Sequence, residues 1–391
     1  MLSDRTCDVV VIGAGPAGCM AAHAAAANGA SVVLLEKHAA IGLPVCCAEG
    51  ITTFGLERVV EPKSEWIANV IEGATIVGPD SRSVTVYHPK AGYILDREIF
   101  DNGLAEMAAD VGVDIIKSAP VVGLEKRETI QAVIVDINGA RIRVEGRIFI
   151  AADGVESRVA HMAGIDTTVS LQNIDSACQY LVDNIKIDRE LITIFIGNEI
   201  APGGYAWVFP KSAERANVGV SICPARSGGQ NARGYLDKFM ARQFPESRIL
   251  KTMVGGVPKF NRSMPLTVGN LMVVGDAARL VDSLTGAGIS NALLSGKIAG
   301  EVAAGYIRGE ADLPEYPRRF MQLKSRELNA YSMCGSIFVR ADDGDFCRIL
   351  EALDSFFPER KVREVNVPDI ILRLVFRNPD LLKMARHLIA R

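Results

Sequence analysis

Residues 8–36, DVVVIGAGPAGCMAAHAAAANGASVVLLE, constrain the fold more tightly than any other stretch. Residues 8–12 form a short apolar run of the kind that makes a buried parallel strand. Gly13, Gly15 and Gly18 follow in G-x-G-x-x-G spacing and open an alanine-rich helical stretch that ends near Gly29. A second strand over 31–35 then closes on Glu36. The first glycine permits a tight strand-to-helix turn, the second lets the backbone approach a pyrophosphate, and the third lets the helix pack on the strand. The helix start offers unpaired N–H groups to phosphate. An acid about 20 residues on accepts ribose hydroxyls. Strand, turn, helix, strand and acid in one register specify a dinucleotide site.

A chain of 391 residues is long enough for roughly two or three domains. Its 49% hydrophobic and 23% charged residues are those of a globular protein, and a net charge of −3 argues against a general nucleic-acid binder. Residues 9–27 have transmembrane length, but Pro16 and the three glycines interrupt them, so a strand and a helix explain them better. Cleavage there as a signal peptide would destroy the nucleotide site, which makes a cytoplasmic protein the expectation. The eight cysteines are scattered with neither C-x-x-C spacing nor a histidine cluster, so no metal site and no disulfide framework is expected.

Residues 37–50, KHAAIGLPVCCAEG, read as a loop passing over the cofactor. Strands are expected within 66–88, then an N-cap at Asp96 and a helix with Ile99, Leu104, Met107 and Ala108 on its apolar face. Strand pairs run to 150 and lead into AADG at 151–154. Alternating strands fill 167–260, interrupted by a helix near 234–243, and strand–turn–helix sequence returns at 271–307. This order places a mainly antiparallel β-sheet substrate domain inside an α/β cofactor domain. The expected boundaries are 1–65, 97–165 and 262–310 for the cofactor domain, 66–96 and 166–261 for the substrate domain, and 311–391 for a helical C-terminal region. In LMVVGDAA and GAGIS, Asp276 is placed to accept from a polyol hydroxyl, with Gly288 and the Ile289 N–H at a helix start.

The ordered set of G-x-G-x-x-G with Glu36, LDREIF with Arg97, AADG and VVGDAA resembles the glutathione-reductase-type FAD fold, in its p-hydroxybenzoate-hydroxylase-like branch. Within that branch, GLPVCCAEG (42–50), PGGYAWVFPKSAERANVG (202–219) and GDAARLVDSLTGAGI (275–289) resemble the geranylgeranyl reductases, the archaeal digeranylgeranylglycerophospholipid reductases most of all. The resemblance implies a Rossmann-like FAD domain with cofactor contacts at Gly13, Gly15, Ala17, Gly18, Glu36, Cys47, Ala48, Gly50, Arg97, Val121, Asp276, Gly288 and Ile289. Two positions depart from the family pattern: Val220 and Ser221 follow Gly219 where Gly-x-Gly is usual, and Ser283 follows Asp282 where Asp-Pro is common.

Tyr205, Trp207 and Phe209 alternate and therefore share one face of a strand. By residue pattern alone they are core or the wall of a tunnel. The resemblance implies a tunnel for a geranylgeranyl chain, with Cys47 beside the flavin as a proton donor or ordering group. It implies reduction of carbon–carbon double bonds by hydride from the reduced flavin, with electrons from an external donor. No second nucleotide fingerprint decides between a ferredoxin and NAD(P)H. Two other readings stay open. An FAD monooxygenase of the same fold would consume oxygen, and a non-catalytic prenyl-lipid-binding flavoprotein would leave its lipid unchanged. Residues 368–391 alternate apolar stretches with Arg373, Arg377, Lys383, Arg386 and Arg391, which suggests a peripheral membrane contact on the inner surface.

Overall fold

The computed structural model describes residues 4–357 together with Ile370 and Arg373, so the segment 368–391, expected to contact a membrane, otherwise lies outside the described residues. The described residues form two eight-stranded sheets. At the centre of the first, strand Arg5–Ile12 pairs in parallel with Val32–Leu35 on one side and Ala140–Ala151 on the other. Asp114–Ile116 and Leu271–Val273 extend it, again in parallel. Val9, Val10 and Val11 are fully buried. Both faces of the strand are covered, which is why it reads as a continuous apolar run rather than an alternation.

The alanines of helix Pro16–Ala27 answer a packing demand. Helix Ile289–Arg308 lies against it so closely that a Cβ at Gly296 would stand 2.1 Å from the Ala17 carbonyl oxygen, and one at Gly300 2.2 Å from that of Ala21. The seam brings residues 275–289 against the glycine turn.

The second sheet runs in the order Arg248–Pro258, Ile174–Asp183, Arg215–Ile222, Tyr205–Pro210, Leu191–Ile196, Ile67–Val77, Ser83–Leu95 and Gly50–Thr52. It is antiparallel except where 191–195 pairs with 73–77. Tyr180, Val182, Val208, Val218 and Val220 pack on helix Ala232–Gln243 through Leu236, Phe239 and Met240. The odd-numbered residues of the same strands, Gln179, Trp207, Phe209 and Asn217, face the other way, toward the loop at 42–50.

The structure differs from the sequence reading at two places. Gly50, expected to end the loop at 37–50, instead opens a short edge strand, residues 50–52, paired with 92–94, so this segment reaches into the second sheet. The helix after Asp96 spans Arg97–Asp110 and is capped by Asp96 as expected, but it leaves Ile99 46% exposed and buries Phe100, Leu104 and Ala108. Trp66 explains the rotation: its ring meets Phe100 edge-on at 5.3 Å, and Gly103 leaves room for its indole. After residue 310 come helices Glu315–Arg340 and Asp343–Phe356, the second opened by a capping box at Asp342. Among the described residues no helix is long and apolar enough to cross a membrane.

Gly300→Val should cost about 3 kcal/mol, the upper range for overpacking a closed interface, read as a lowered midpoint in urea unfolding. An unchanged midpoint would show that the two helices can part without loss.

Candidate active site

Each glycine of the turn at 13–18 meets a different need. Gly13 has φ +102°, and a Cβ there would stand 2.4 Å from the Ala152 carbonyl oxygen. A Cβ at Gly18 would stand 1.8 Å from the Gly13 carbonyl. Gly15 is the opposite case, since a Cβ there meets no described atom within 4 Å. It caps the helix without a side chain, so the N–H groups of Ala17 and Gly18 face that open space with no intrahelical acceptor. The Ala17 methyl is packed against Gly275, and what Ala17 offers a ligand is its backbone. Glu36 accepts from Ala14 N at 2.8 Å and His38 N at 2.8 Å, and its carboxylate has lone pairs left over for hydroxyl donors.

Opposite this cradle lie Asp153, Asp276 and Arg279. Asp153 Oδ2 accepts from Val159 N at 2.8 Å, while its buried Oδ1 has no hydrogen-bond partner among the described residues. Burial pushes the Asp276 carboxyl above its ordinary value, against the pull of Arg97 and Arg279. Gly288 lets the helix start approach it, because a Cβ there would lie 3.0 Å from Asp276 Oδ1. Arg279 ties the two loops together by donating to Val155 O at 2.8 Å and Thr167 O at 2.7 Å. Ile289 opens its helix behind Gly288, which has no side-chain cap. Val121 begins a strand two residues past Ala119, whose N–H bonds Glu36 O at 2.8 Å. An open phosphate cradle, a part-satisfied acid and an orphaned buried carboxylate oxygen fit a dinucleotide.

The loop at 42–50 runs between the two sheets. Cys46 is exposed and Cys47 half-buried. Burial pushes the Cys47 thiol above its ordinary value, opposed by the positive charge of the Arg97 guanidinium. Asp101 fixes that guanidinium through two bonds of 2.7 Å. The aromatic row stands across from the loop. Ring centroids are 5.9 Å apart between Tyr205 and Trp207 and 6.3 Å between Trp207 and Phe209. Trp207 Nε1 donates to Gln179 Oε1 at 2.9 Å, and Gln179 Nε2 donates to Cys47 O at 3.1 Å. Phe209 lies on Gly50, where a Cβ would stand 2.9 Å from its ring. Tyr205 Oη donates to Thr285 O.

Both departures from the family pattern have a local explanation. Gly219 lies opposite Trp207, and a Cβ there would fall 2.1 Å from the indole, so this is the glycine the ring requires. Ser221 sits opposite Tyr205, two pairs further along. In the loop at 282–287, Asp282 accepts from the N–H groups of Leu284 at 3.0 Å, Thr285 at 2.6 Å and Ala287 at 3.2 Å. That carboxylate orders a turn without a proline, and helix Glu315–Arg340 closes on Ser283 at Gly335.

Sequence reasoning missed Gln179, Glu49, Lys211 and Asn217. Glu49 belongs to the loop, its side chain buried, and it pairs with Lys211 at 2.7 Å and Asn217 at 2.6 Å. Lys211 directly follows Phe209–Pro210 and could have been singled out. Gln179 carries no motif and Asn217 lies unremarked within the 202–219 stretch, and cross-strand register brings both to the loop.

A family model described as a geranylgeranyl reductase catalytic domain matches residues 173–257, and one described as an FAD binding domain matches residues 8–74. The digeranylgeranylglycerophospholipid reductase of Methanothrix thermoacetophila is 37% identical, over 98% of this chain and 99% of that protein. The protein of the same name from Methanoculleus marisnigri is 39% identical over 96% of each. The crystal structure of a geranylgeranyl bacteriochlorophyll reductase-like protein from Thermoplasma acidophilum superposes with a TM-score of 0.92 at 30% identity, covering 99% of this chain and 100% of that one. The dinucleotide is FAD.

Gly15→Val should leave the fold intact, since its Cβ meets open space, and should abolish FAD retention by filling the cradle. The check is the flavin-to-protein absorbance ratio of the purified variant. Full occupancy would remove the pyrophosphate from this turn.

Proposed function

The chain belongs to the digeranylgeranylglycerophospholipid reductase family, and on that premise we propose a division of labour for saturating the double bonds of geranylgeranyl chains on archaeal membrane lipids. Cys47 holds the proton, and Tyr205, Trp207 and Phe209 line the path of the chain. The observation that carries this is the hydrogen-bonded link from Trp207 through Gln179 to the Cys47 carbonyl, which sets the aromatic row against the cofactor loop rather than in the core beside the helix at 232–243.

An isolated double bond has no polar handle, so orientation falls to apolar walls and exclusion of water. FAD, when bound, supplies the hydride chemistry that an unactivated alkene requires. The backbones of Gly13, Gly15, Ala17 and Gly18 hold its pyrophosphate, and Glu36 its ribose. Asp276 would accept from a hydroxyl of its polyol chain and Gly288 and Ile289 would meet the ring edge, with Ala48, Gly50, Arg97 and Val121 completing the contacts. Trp207 keeps one orientation, because Gln179 fixes its indole N–H and Gly219 seats its ring. Cys47 remains a thiol at neutral pH, since burial raises it. Its Sγ therefore holds a transferable proton, with Arg97 to steady the thiolate left behind. Electrons come from an external donor, a ferredoxin or NAD(P)H. A lipid with two prenyl chains stays in a bilayer, so the protein meets it at a membrane surface.

Incubation of the dithionite-reduced protein with a geranylgeranyl lipid should give products heavier by successive pairs of hydrogens in mass spectrometry. An unchanged lipid would refute the reductase reading. Cys47→Ala should keep FAD and slow saturation by about a hundredfold; a wild-type rate would remove the thiol from the chemistry. Trp207→Ala should impair turnover of long chains while dithionite reduces the flavin as before, whereas loss of flavin would make the row a core element. The protein should also float with anionic liposomes and be released by salt.

A further inference from the structure

Glu49 is a buried carboxylate at φ +72°, a left-handed backbone conformation that side chains other than glycine rarely adopt and that persists only where the surroundings enforce it. Three donors converge on it. Oε1 accepts from Arg97 N at 2.9 Å, and Oε2 accepts from Lys211 Nζ at 2.7 Å and Asn217 Nδ2 at 2.6 Å. Each donor belongs to a different part of the site. Arg97 opens the helix at 97–110, and its guanidinium is held by Asp101 at 2.7 Å and draws the Cys47 thiol down by its charge. Lys211 follows the strand carrying Tyr205, Trp207 and Phe209, and Asn217 lies opposite Phe209 on the next strand. On the loop itself, Glu49 N donates to Cys47 Sγ at 3.2 Å and Asn217 Nδ2 also reaches Ala48 O at 3.3 Å.

We propose that Glu49 is a positioning residue of the reduction. Its carboxylate ties the backbone of residues 47–50 at once to the helix bearing Arg97 and to the strand bearing the aromatic row. The thiol, the guanidinium and the prenyl path are thereby held in one geometry. The proposal rests on the reading of this chain as a prenyl reductase acting at Cys47. Three converging donors require a group that only accepts, and glutamine would turn an NH₂ toward Lys211 and Asn217 or toward Arg97 N. Displacement of a reacting group by about 1 Å costs about a hundredfold in rate, so a small shift of this loop is felt in the chemical step before it is felt in binding.

The test uses FAD-loaded wild type, Glu49→Gln and Lys211→Met, and separates the two half-reactions under anaerobic conditions. One measurement is reduction of the flavin by dithionite. The other is its reoxidation by a digeranylgeranyl glycerophospholipid in detergent micelles, followed across lipid concentrations. Both variants should retain FAD and accept electrons from dithionite at the wild-type rate. Both should reoxidise at least about tenfold more slowly at saturating lipid, with half-saturation within about twofold of wild type. The double variant should be no slower than the slower single one, as expected for residues acting through one contact. Wild-type reoxidation in Glu49→Gln would overturn the proposal. So would a change in half-saturation alone, or loss of FAD in both variants, since the clamp would then serve binding or folding. Where Glu49→Gln does not fold, Lys211→Met decides. A wild type that leaves the lipid unchanged would refute the reductase reading itself, an outcome separate from all of these.

Discussion

Backbone-to-backbone approach between two helices far apart in sequence is the constraint from which the site is assembled. Helix Pro16–Ala27 is fixed to the central strand by Gly13 and Gly18, and helix Ile289–Arg308 can reach it only where Gly296 and Gly300 face the carbonyls of Ala17 and Ala21. Side chains at those positions would push the second helix outward. Gly288 and Asp276 would move with it, because the same helix carries Ser295, whose Oγ receives the Gly275 N–H at 3.0 Å. The open cradle at Gly15 and the acid at 276 face one another because small residues let two helices touch. Dispersion contacts across such a seam are individually weak, and close approach makes them many.

The cofactor loop then depends on a second constraint, the alternation of side chains in the antiparallel sheet. One face of its central strands is committed to the helix at 232–243. Whatever meets the cofactor must therefore come from the other face. Trp207, Gln179, Gly219 and Asn217 fall there together because Trp207 pairs with Gly219, and Gln179 and Phe209 pair in turn with Gly219 and Asn217. Buried polar groups on that face are matched to the loop: an indole N–H to an amide oxygen, that amide's N–H₂ to a carbonyl, and a carboxylate to three donors. Bonds of this kind favour one arrangement, since each unmade one would leave a buried group unpaired, although Asn217 Oδ1 itself is buried without a partner among the described residues.

Much of this was legible in the sequence, for identifiable reasons. The βαβ unit announces itself because its requirements are local: a glycine at a turn, an apolar strand, an acid at a set distance. The Asp96 cap and the aromatic alternation at 205–209 are equally local. The strand at 50–52 was missed because it is three residues long and pairs with residues some forty positions on. The exposed side of the helix at 97–110 was misjudged because Trp66, outside it in sequence, sets its rotation. Gln179 and Asn217 were invisible for a stronger reason: a lone amide in a strand has no periodicity of its own, and its importance comes from the partner that register assigns it. Where the family commonly has Asp-Pro, the Asp282 carboxylate bonds three backbone N–H groups and orders the turn by another means.

Register also decides what the aromatic row is for. A slip of one residue between strands 205–210 and 215–222 would send Trp207 into the cluster around Leu236 and Phe239 and bring Ala206 and Val208 to the cofactor loop. The row would then be ordinary core. Three features oppose that slip at the position where it would matter. Gly219 leaves a slot that the indole fills only in this register. Gln179 on the next strand presents the one acceptor the indole N–H needs when buried. Tyr205, two residues earlier, is hooked to the Thr285 carbonyl of the loop at 282–287. The same contacts that pin the sheet therefore aim its aromatic face at the loop at 42–50, and folding specificity and placement of that face are one physical problem with one solution.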